Sequence, residues 1–369
     1  MKIAFDSQIF VAQRFGGISR YFASLSSQLA QLPGVVARID AIINMNDHLQ
    51  SLAGSVPSGR HIRFRSSLRH LLFTLNGAWS TVRCITHPVD VLHRTYYYRQ
   101  SPTGRARLSV VSVFDMIHEK FGASYSAADR ERVITAKRRA VLSADLVLCI
   151  SNSTRADLLA AHPVDPAKVF VTHLGYDPLP PLVVSPIAPD GQRRYLLYVG
   201  SRTRYKNFDR LIEAYGSSPQ LVSEFDLLCF GGGSWTPSEQ LAIARLGVKG
   251  RVHHRAGDDQ ALAQAYRGAA MFVYPSLYEG FGIPPLEAMS VGCPVACSSV
   301  SSIPEVVGPA GAYFDPSDVS SIRKCLEMHL CSADRMAKLV EAGNNRCRAF
   351  SWERCAQETL ALYGKGLGR

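Results

Sequence analysis

The stretch YPSLYEGFGIPPLEAM, Tyr274–Met289, is the part of the sequence that says most about the fold. Glu279 stands just before a Gly-Phe-Gly loop, and Pro284 and Pro285 predict a helix start, because the first N–H groups of a helix have no partner in any case. Glu287 falls about one turn inside that helix. Both carboxylates can then point into one crevice, where they would accept hydrogen bonds from the hydroxyls of sugars and ribose. The alternative is a helix that carries a solvated glutamate.

Outward from this stretch, strand-like runs alternate with helix-length segments along the chain. Examples are KIAFDSQIF before GGISRYFASLSSQLAQL, ADLVLCI before STRADLLAAH, and RRYLLYVG before NFDRLIEAY. This alternation is typical of parallel sheets covered by helices on both faces. The 369 residues suffice for two such domains, and a composition of 47% hydrophobic and 19% charged residues excludes a mainly disordered chain.

A proline-rich joint divides the sequence. The segment from Asp177 to Gln192, DPLPPLVVSPIAPDGQ, has five prolines in sixteen residues, and proline disfavours both helix and central strand. We therefore predict an N-terminal domain over residues 1–183 and a C-terminal domain over 184–350. A final helix over 351–369, capped by Ser351, is expected to cross back to the N-terminal domain.

The positive charge is concentrated in the first half. The chain has 41 Lys+Arg and 30 Asp+Glu, a net charge of +11, and residues 1–183 hold 21 of the basic and 12 of the acidic residues. Such asymmetry predicts an anionic partner for this half: a membrane surface, a nucleic acid or a phosphorylated ligand.

One segment of this half combines basic and large apolar residues. Between Gly59 and Arg83 there is no acidic residue, and the arginines are Arg60, Arg63, Arg65, Arg69 and Arg83. Basic residues beside apolar ones favour a helix or loop that lies on anionic lipid. The alternative is a solvated basic face over a local core.

Two further loops have the composition of anion sites. Gly16 and Gly17 follow the first strand and open a helix, so their N–H groups can approach a phosphate at the positive helix end. In YVGSRTRYKNF, the cations Arg202, Arg204 and Lys206 lie between a strand and the next helix, where α/β folds bind ligands. A tight turn and a solvated basic turn are the respective alternatives.

The spacing of Glu279 and Glu287 resembles the E-x7-E pattern of retaining glycosyltransferases of family 4, which have the GT-B architecture. The similarity covers nearly the whole chain in ten ordered blocks: FGGISRYF, VFDMIHEKF, ADLVLCISNSTRADL, VTHLGYD, YVGSRTRYKNF, CFGGGSW, AGDDQALAQAY, VYPSLYEGFGIPPLEAMSVGCPVACSSVSSIPEVVG, AYFDP and FSWERCA. The resemblance implies an α/β fold of two Rossmann-like, doubly wound parallel-sheet domains facing a central cleft. The N-terminal domain would bind the acceptor and the C-terminal domain the nucleotide-sugar donor.

The resemblance also implies roles for single residues. Glu279 would contact hydroxyls of the donor sugar, and Glu287 would hold the ribose of the nucleotide. Lys206 and Arg202 would neutralise the diphosphate. The backbone around the donor would come from Gly280, Phe281, Gly282 and Ile283, with Gly16 and Gly17 approaching the diphosphate from the other domain.

One position departs from the family pattern. Members usually have a histidine directly before the aspartate of the block VFDMIHEKF, and this chain has Phe114 before Asp115. His118, three residues after Asp115, is a candidate to supply the imidazole near the transferred sugar. The alternative is a structural histidine on that loop.

The function implied by this resemblance is retaining transfer of a hexose, with mannose from GDP-mannose as the preferred donor. UDP-glucose, UDP-galactose and dTDP-rhamnose remain alternatives. The acceptor would be a saccharide or a polyprenyl-linked saccharide of a surface polysaccharide, such as O-antigen, capsule or exopolysaccharide. A soluble phosphosugar acceptor is the second enzyme hypothesis. The diphosphate site is expected to work without a metal or a further cofactor, because no D-x-D motif is present.

Two partner classes are disfavoured or limited by the sequence. A nucleic-acid binder would need an aromatic-basic platform, a zinc module or a recognition helix, and the carboxylates of the crevice would repel phosphates. No run of 18 apolar residues and no signal-peptide core is present, which predicts a cytoplasmic protein, peripheral on the inner face of the plasma membrane if the basic segment binds lipid.

The nine cysteines include no C-x-x-C pair and are expected to be reduced core residues.

Overall fold

The structure, a computed structural model, describes residues 1–50, 56–97, 106–122, 125–180 and 193–368. The chain forms two compact units: unit 1 comprises Met1–Gly175 with Ser351–Arg369, and unit 2 comprises Tyr176–Phe350. The boundary predicted at 183/184 lies outside the described residues. The division between the units falls between Gly175 and Tyr176, before the proline-rich joint begins at Asp177.

The sheet of unit 1 is parallel throughout. Its strand order is β2-β1-β5-β6-β7-β8, and β3 pairs with β4 in a separate small sheet, with these bounds: β1 (Lys2–Asp6), β2 (Val36–Asp40), β3 (Ile43–Asn44), β4 (Arg60–His61), β5 (Val89–Arg94), β6 (Ala106–Val113), β7 (Leu146–Cys149) and β8 (Val169–Val171). Every residue of β7 is buried, as expected for a strand covered on both faces.

Helices connect these strands in unit 1. They are α1 (Gln8–Ala12), α2 (Gly17–Gln31), α3 (Asp47–Gln50), α4 (Arg69–Thr86), α5 (Ile117–Lys120), α6 (Ala127–Ser143) and α7 (Asn152–Ala161). Ser126 and Ser151 begin α6 and α7 by accepting hydrogen bonds from the N–H groups of Asp129 and Thr154, which satisfies donors that would otherwise have no partner.

Unit 2 has a second parallel sheet, with the order β11-β10-β9-β12-β13-β14. Its strands are β9 (Arg194–Val199), β10 (Phe225–Phe230), β11 (Val252–Arg255), β12 (Met271–Tyr274), β13 (Val295–Ser298) and β14 (Gly311–Phe314). In chain order this is 3-2-1-4-5-6, the order of a Rossmann domain. The order reverses between β9 and β12, so the crevice at their carboxyl ends is the expected ligand position.

The helices of unit 2 are α8 (Phe208–Gly216), α9 (Pro219–Glu224), α10 (Pro237–Arg245), α11 (Asp259–Gly268), α12 (Ile283–Ser290), α13 (Ile303–Val307), α14 (Val319–Leu330) and α15 (Ala333–Cys347). The helix after YKN, α8, buries an apolar face made of Phe208, Leu211, Ile212 and Tyr215. These side chains join one core with strand residues such as Leu196 and Leu227. The start of α8 is thereby fixed against the sheet.

The last helix, α16 (Trp352–Gly366), packs within unit 1. Ser351 caps it by accepting from the N–H of Arg354, as predicted. Tyr363 is fully buried, and its hydroxyl lies 2.6 Å from Nδ1 of His93 on β5. Nε2 of His93 is hydrogen-bonded to Ser112 Oγ at 2.9 Å. Burial lowers the pKa of His93 to about 3, so this imidazole is neutral.

Within the described residues, every helix is too short or too polar to cross a membrane. All nine cysteines are free thiols, and only Cys331 among them is exposed. The same part of the chain has no group of three or more His, Cys, Asp or Glu side chains arranged to hold a metal ion.

Candidate active site

The crevice between β9 and β12 in unit 2 is formed by the two loops that follow these strands. One loop runs over residues 200–207 and ends in a short 3-10 turn, Arg204–Lys206, and the other runs over 275–282. The N–H of Leu277 donates to the carbonyl of Tyr205 at 2.7 Å. This hydrogen bond joins the two loops directly.

Lys206 and Glu279 form an ion pair in this crevice. Lys206 Nζ lies 2.6 Å from Glu279 Oε1, and their side chains are only 16% and 11% exposed. The ammonium is also 5.5 Å from the ring centroids of Tyr205 and Tyr274, within the range of a cation–π contact. Burial raises the pKa of Tyr274 well above its usual range, so that ring remains a neutral phenol. The structure therefore brings two of the predicted site residues together.

Asn207 fixes the backbone next to Lys206. It is buried and has a left-handed backbone conformation, with φ of 59°, which asparagine tolerates better than most residues. Its side-chain amide donates to the carbonyls of Pro275 (3.0 Å) and Pro316 (2.7 Å). Both loops of the crevice are tied to this one side chain, and the position of Lys206 depends on it.

Two serines hold the backbone of Glu279. Ser301, itself in the left-handed region with φ of 60°, accepts from the N–H of Glu279 (3.1 Å) and donates to its carbonyl (2.6 Å). Ser302 donates to the carbonyls of Glu279 (2.9 Å) and Phe281 (2.8 Å). The carboxylate is thus presented from a backbone that is hydrogen-bonded on both sides.

Glu287 lies on α12 and has a separate partner. The helix begins after Gly282, whose φ of 109° and ψ of 64° suit glycine, and Gly282 and Ile283 precede two prolines without a side-chain cap. Glu287 is buried, and Tyr266 Oη lies 3.3 Å from Glu287 Oε2. Burial and the Glu287 carboxylate raise the pKa of Tyr266, so its hydroxyl stays protonated and donates.

Arg202 lies in the same loop as Lys206, but its side chain contacts residues that follow β10. Its Nε donates to Glu239 Oε1 at 2.7 Å, and the two side chains are 5% and 9% exposed. The other guanidinium nitrogens donate to the carbonyls of Gly231 (3.2 Å), Gly233 (2.5 Å) and Ser234 (3.2 Å). Arg202 therefore holds the glycine-rich loop after β10, whereas Arg204 is exposed. A contact of Arg202 with a diphosphate stays a prediction.

The remaining predicted residues lie in unit 1. Gly16 is extended, with φ of 167°, and begins α2 without a side-chain cap, while a Cβ added at Gly17 would meet nothing within 4 Å. His118 stacks on Tyr125 at 4.3 Å, and burial lowers its pKa. Phe114, at the position where the family has histidine, is buried against Tyr21 with ring centroids 5.3 Å apart.

Several residues that shape the crevice were not identified from the sequence. Asn207, Ser301, Ser302, Tyr266 and Glu239 act through contacts between distant parts of the chain. The signal for Asn207 was its place between a basic turn and a buried helix face. The serines lie in the run SSVSSIPE, where a polar cluster before a helix start resembles an ordinary cap.

Two parallel-sheet α/β domains, one of them with the Rossmann strand order, are the architecture of the GT-B class of proteins. The family described as "Glycosyltransferase Family 4" matches residues 15–178, and "Glycosyl transferases group 1" matches residues 185–346. The chain belongs to the family 4 glycosyltransferases of GT-B fold, as the resemblance predicted.

Characterised relatives are similar over part of their length. The chain is 32% identical to O-antigen chain mannosyltransferase B of Escherichia coli, over 65% of this chain and 66% of the relative. It is 31% identical to the MMP alpha-(1->4)-mannosyltransferase of Mycolicibacterium hassiacum, over 60% and 54%. Identity to the alpha-maltose-1-phosphate synthase of Mycolicibacterium smegmatis is 30%, over 67% and 68%. The matched region thus spans less than two thirds of the two mannosyltransferases.

Solved structures share the fold at lower identity. Sucrose-phosphate synthase from Thermosynechococcus elongatus matches with a TM-score of 0.72 and 21% identity, covering 99% of this chain and 98% of that one. The lipopolysaccharide glycosyltransferase WaaG matches with 0.70 and 19%, covering 100% of both chains. Anabaena HepE, solved in complex with UDP-glucose, matches with 0.71 and 16%, covering 98% and 99%.

Proposed function

We propose that this protein is a retaining, metal-independent hexosyltransferase that transfers mannose from GDP-mannose to a saccharide or lipid-linked saccharide of a surface polysaccharide. The observation that carries the proposal is the Lys206–Glu279 pair at the switch point between β9 and β12. Similarity to two mannosyltransferases, one of them named for the O-antigen chain, supports the donor sugar and the polysaccharide.

In this proposal, Lys206 stabilises the leaving group. As the bond from the anomeric carbon to the diphosphate breaks, negative charge develops on the phosphate oxygens and positive charge on the sugar. A fixed ammonium in a largely buried site stabilises that phosphate charge more than water would. A diphosphate carries more charge than the Glu279 carboxylate and competes with it for Lys206. Glu279 then accepts hydrogen bonds from the sugar hydroxyls.

The retained configuration follows from attack on the face that the leaving group departs from. The acceptor hydroxyl oxygen bonds to the anomeric carbon, and its proton moves to an oxygen of the departing phosphate. This scheme needs no protein nucleophile. Glu287 holds the ribose, and the backbone of residues 280–283 contacts the donor.

Other predicted residues keep supporting roles in the proposal. Gly16 and Gly17, at the uncapped start of α2, offer N–H groups to phosphate oxygens. His118 has the role of supplying an imidazole near the transferred sugar. Arg202 keeps the loop after β10 in place for the nucleotide through its contacts with Glu239 and three carbonyls.

A second candidate function is retaining transfer of a hexose from another donor, such as UDP-glucose, or transfer to a soluble phosphosugar acceptor. It is favoured by the 30% identity to an alpha-maltose-1-phosphate synthase and by the fold shared with sucrose-phosphate synthase and the UDP-glucose complex of HepE. UDP-galactose and dTDP-rhamnose are further donors of this alternative.

Thermal unfolding with added nucleotides separates the two candidates. GDP should raise the midpoint, because a ligand that binds only the folded state stabilises it, and UDP should not. Transfer from GDP-mannose is then measured as release of GDP. NMR of the product should show an α-linkage, because the donor is the α-anomer. A shift with UDP alone selects the second candidate. No shift with any nucleotide and no transfer would contradict both.

We further propose that unit 1 binds the surface of an anionic membrane through α4, which places the protein on the cytoplasmic face. Of the eleven large apolar side chains that the described residues expose, five lie on this helix and are 38% to 54% exposed: Leu71, Leu75, Trp79, Val82 and Ile85. At about 100° per residue they fall within one third of the helix circumference. We call these five residues the apolar stripe.

Charge near the apolar stripe supports this orientation. Arg60, Arg63 and Arg65, just before α4, are exposed. Arg83 pairs with Asp40 at 3.8 Å, and its guanidinium lies 5.8 Å from the ring centroid of Trp79. A helix with an apolar face and neighbouring arginines suits the boundary between anionic headgroups and acyl chains.

A further inference from the structure

A cavity of about 400 Å³ opens in unit 1 between α4, α6 and the end of β5. Its lining residues are Arg69, His70, Phe73, Tyr96, Tyr97, Arg132, Val133 and Ala136. The lining combines two arginines and a histidine with three aromatic rings, and no carboxylate is among these residues. Such a composition favours an anionic ligand that also has an apolar or ring surface.

Arg69 has an incomplete set of hydrogen bonds. It is the first residue of α4, and its Nε is buried without a hydrogen-bond partner in the described part of the chain. A buried donor without an acceptor is unfavourable, and an anion in the cavity would supply that acceptor.

Arg132 adds a second guanidinium from another helix. It lies on α6, and its Nη2 is 2.8 Å from Asp129 Oδ1, with both side chains largely exposed. An exposed pair of this kind contributes little stability, so a phosphate can take over the guanidinium at low cost. Two guanidinium groups on separate rigid helices match the several oxygens of a phosphate or diphosphate.

The aromatic side of the cavity is fixed in place. Tyr96 and Tyr97 have ring centroids 4.7 Å apart, and the hydroxyl of the buried Tyr97 donates to the carbonyl of Ser112 at 2.9 Å. Rings held in this way present faces on which the C–H surface of a sugar can pack. The cations and the rings thus suit the two parts of a sugar phosphate.

A smaller cavity of about 20 Å³ lies beside the first. It shares Tyr96, Tyr97 and Val133 with the larger cavity and reaches Asp115 and His118. Asp115 has a fixed carboxylate, because its Oδ1 accepts from the N–H of Ile117 at 3.1 Å. Groups that accept and donate to hydroxyls therefore lie at one end, and the guanidinium groups lie at the other.

We propose that the larger cavity binds the phosphate of a phosphate-linked saccharide acceptor through Arg69, His70 and Arg132, with the adjoining sugar on Tyr96 and Phe73. This inference rests on the proposed glycosyl transfer and names its acceptor class. The phosphate can belong to a lipid-linked saccharide or to a soluble sugar phosphate. The geometry of α4 favours the lipid, because Arg69 and Phe73 lie on the cavity side of the helix and the apolar stripe lies on its solvent side.

The test compares a sugar with and without a phosphate. Binding of mannose 1-phosphate and of methyl α-mannoside is measured by calorimetry on the whole protein saturated with GDP, or with UDP if that is the nucleotide that binds. We expect mannose 1-phosphate to bind at least about tenfold more tightly, which is the scale of one charge-assisted hydrogen bond. Equal binding of the two sugars overturns the inference. Failure of every nucleotide to bind, measured separately, contradicts the proposed function instead.

Variants locate the binding. Arg69→Gln and, separately, Arg132→Gln should each remove most of the phosphate preference, while the nucleotide-induced rise in melting temperature stays unchanged. Arg138→Gln, an exposed arginine on α6 that does not line the cavity, is the matched control. If Arg69→Gln does not fold, the phosphate preference of Arg69→Lys and Arg132→Gln still tests the inference. Wild-type preference in every folded variant overturns the inference.

The source of the phosphate is tested with a lipid carrier. Mannosyl farnesyl diphosphate in vesicles of phosphatidylglycerol is compared with mannose 1-phosphate as an acceptor. A kcat/KM at least about tenfold higher for the lipid, lost in Trp79→Glu but retained in Leu241→Glu, assigns the cavity to a lipid-linked acceptor. Equal values assign it to a soluble sugar phosphate, and use of neither acceptor overturns the inference.

Discussion

Lys206 Nζ lies 2.6 Å from Glu279 Oε1, although 73 residues separate the two in sequence. The strand order explains this distance. Lys206 follows β9 and Glu279 follows β12, and these strands are adjacent and parallel, so both loops emerge at the same edge of the sheet. The pair is held by Asn207 on one side and by Ser301 on the other. Two opposite charges are thus fixed before any substrate binds.

Replacement of either member of this pair should abolish most activity. We expect Lys206→Ala and Glu279→Ala each to lower the transfer rate by about a hundredfold or more, the usual scale for loss of a contact that stabilises the transition state. The measurement is release of the nucleoside diphosphate at a saturating donor concentration, with circular dichroism to confirm folding. The control is Lys249→Ala, an exposed lysine of the same unit. A wild-type rate in either variant would remove the assignment of this crevice.

Arg202 should behave as a positioning residue. Arg202→Lys keeps the charge, but an ammonium cannot replace a guanidinium that donates to Glu239 and to three carbonyls at once. We therefore expect a raised KM for the donor with a smaller change in kcat. If Arg202 instead contacts the diphosphate directly, Arg202→Lys should keep much of the wild-type transfer rate, because the ammonium preserves the charge.

A second variant at this position, Arg202→Gln, has a stability readout. Burial alone would raise the pKa of Glu239, but hydrogen bonds from Thr236 and Arg202 outweigh it and hold this pKa below its usual value. Removal of Arg202 leaves Glu239 buried without its cation, which should cost about 3–5 kcal/mol of unfolding free energy. Urea unfolding of Arg202→Gln tests this value, with the exposed Arg245→Gln on α10 as its control. Equal stability of the two variants would contradict it.

Sequence patterns predicted the parts of the crevice that are local in the chain. Glu279, the glycine loop and the helix that carries Glu287 lie in one continuous stretch, and Lys206 lies in the basic turn before α8. The partners of these residues could not be predicted in the same way. Asn207 bonds to Pro316, 109 residues away, and Arg202 bonds to Glu239 in the connection after another strand. Such contacts depend on which strands are adjacent, and no local pattern specifies that.

The same limit applies to unit 1. The run of arginines from Arg60 to Arg83 indicated an anionic partner, but it did not separate the roles of its members. In the structure Arg69 lines a cavity, Arg83 pairs with Asp40, and Arg60 is exposed. Whether a side chain on α4 faces α6 or solvent depends on where the helix packs.

His93 should make the stability of unit 1 depend on pH. Its pKa is lowered by burial to about 3, whereas an unfolded histidine titrates near about 6.5. Between these values the unfolded chain binds more protons, so the unfolding free energy falls as the pH falls, by up to about 1.4 kcal/mol per pH unit. The stabilisation is complete above about pH 6.5 and decreases steadily below it.

Urea unfolding between pH 7.5 and 4.5 measures this dependence. His93→Gln should be less stable at pH 7.5, because it breaks the hydrogen-bonded link from Tyr363 of α16 to Ser112, and its slope with pH should be shallower. The exposed His87→Gln should keep the wild-type slope. If His93→Gln and wild type have parallel pH profiles, His93 is not the group responsible.

The apolar stripe of α4 should be required for binding to anionic vesicles. We expect wild type to float with phosphatidylglycerol vesicles and the double variant Leu75→Glu/Trp79→Glu to remain unbound, because it loses apolar area and adds two charges that the lipid repels. Leu241→Glu changes a leucine that is 70% exposed in unit 2 and is the control. Raising the salt concentration should weaken wild-type binding, since the arginine contribution is screened. Equal flotation of wild type and the double variant would exclude α4 as the membrane contact.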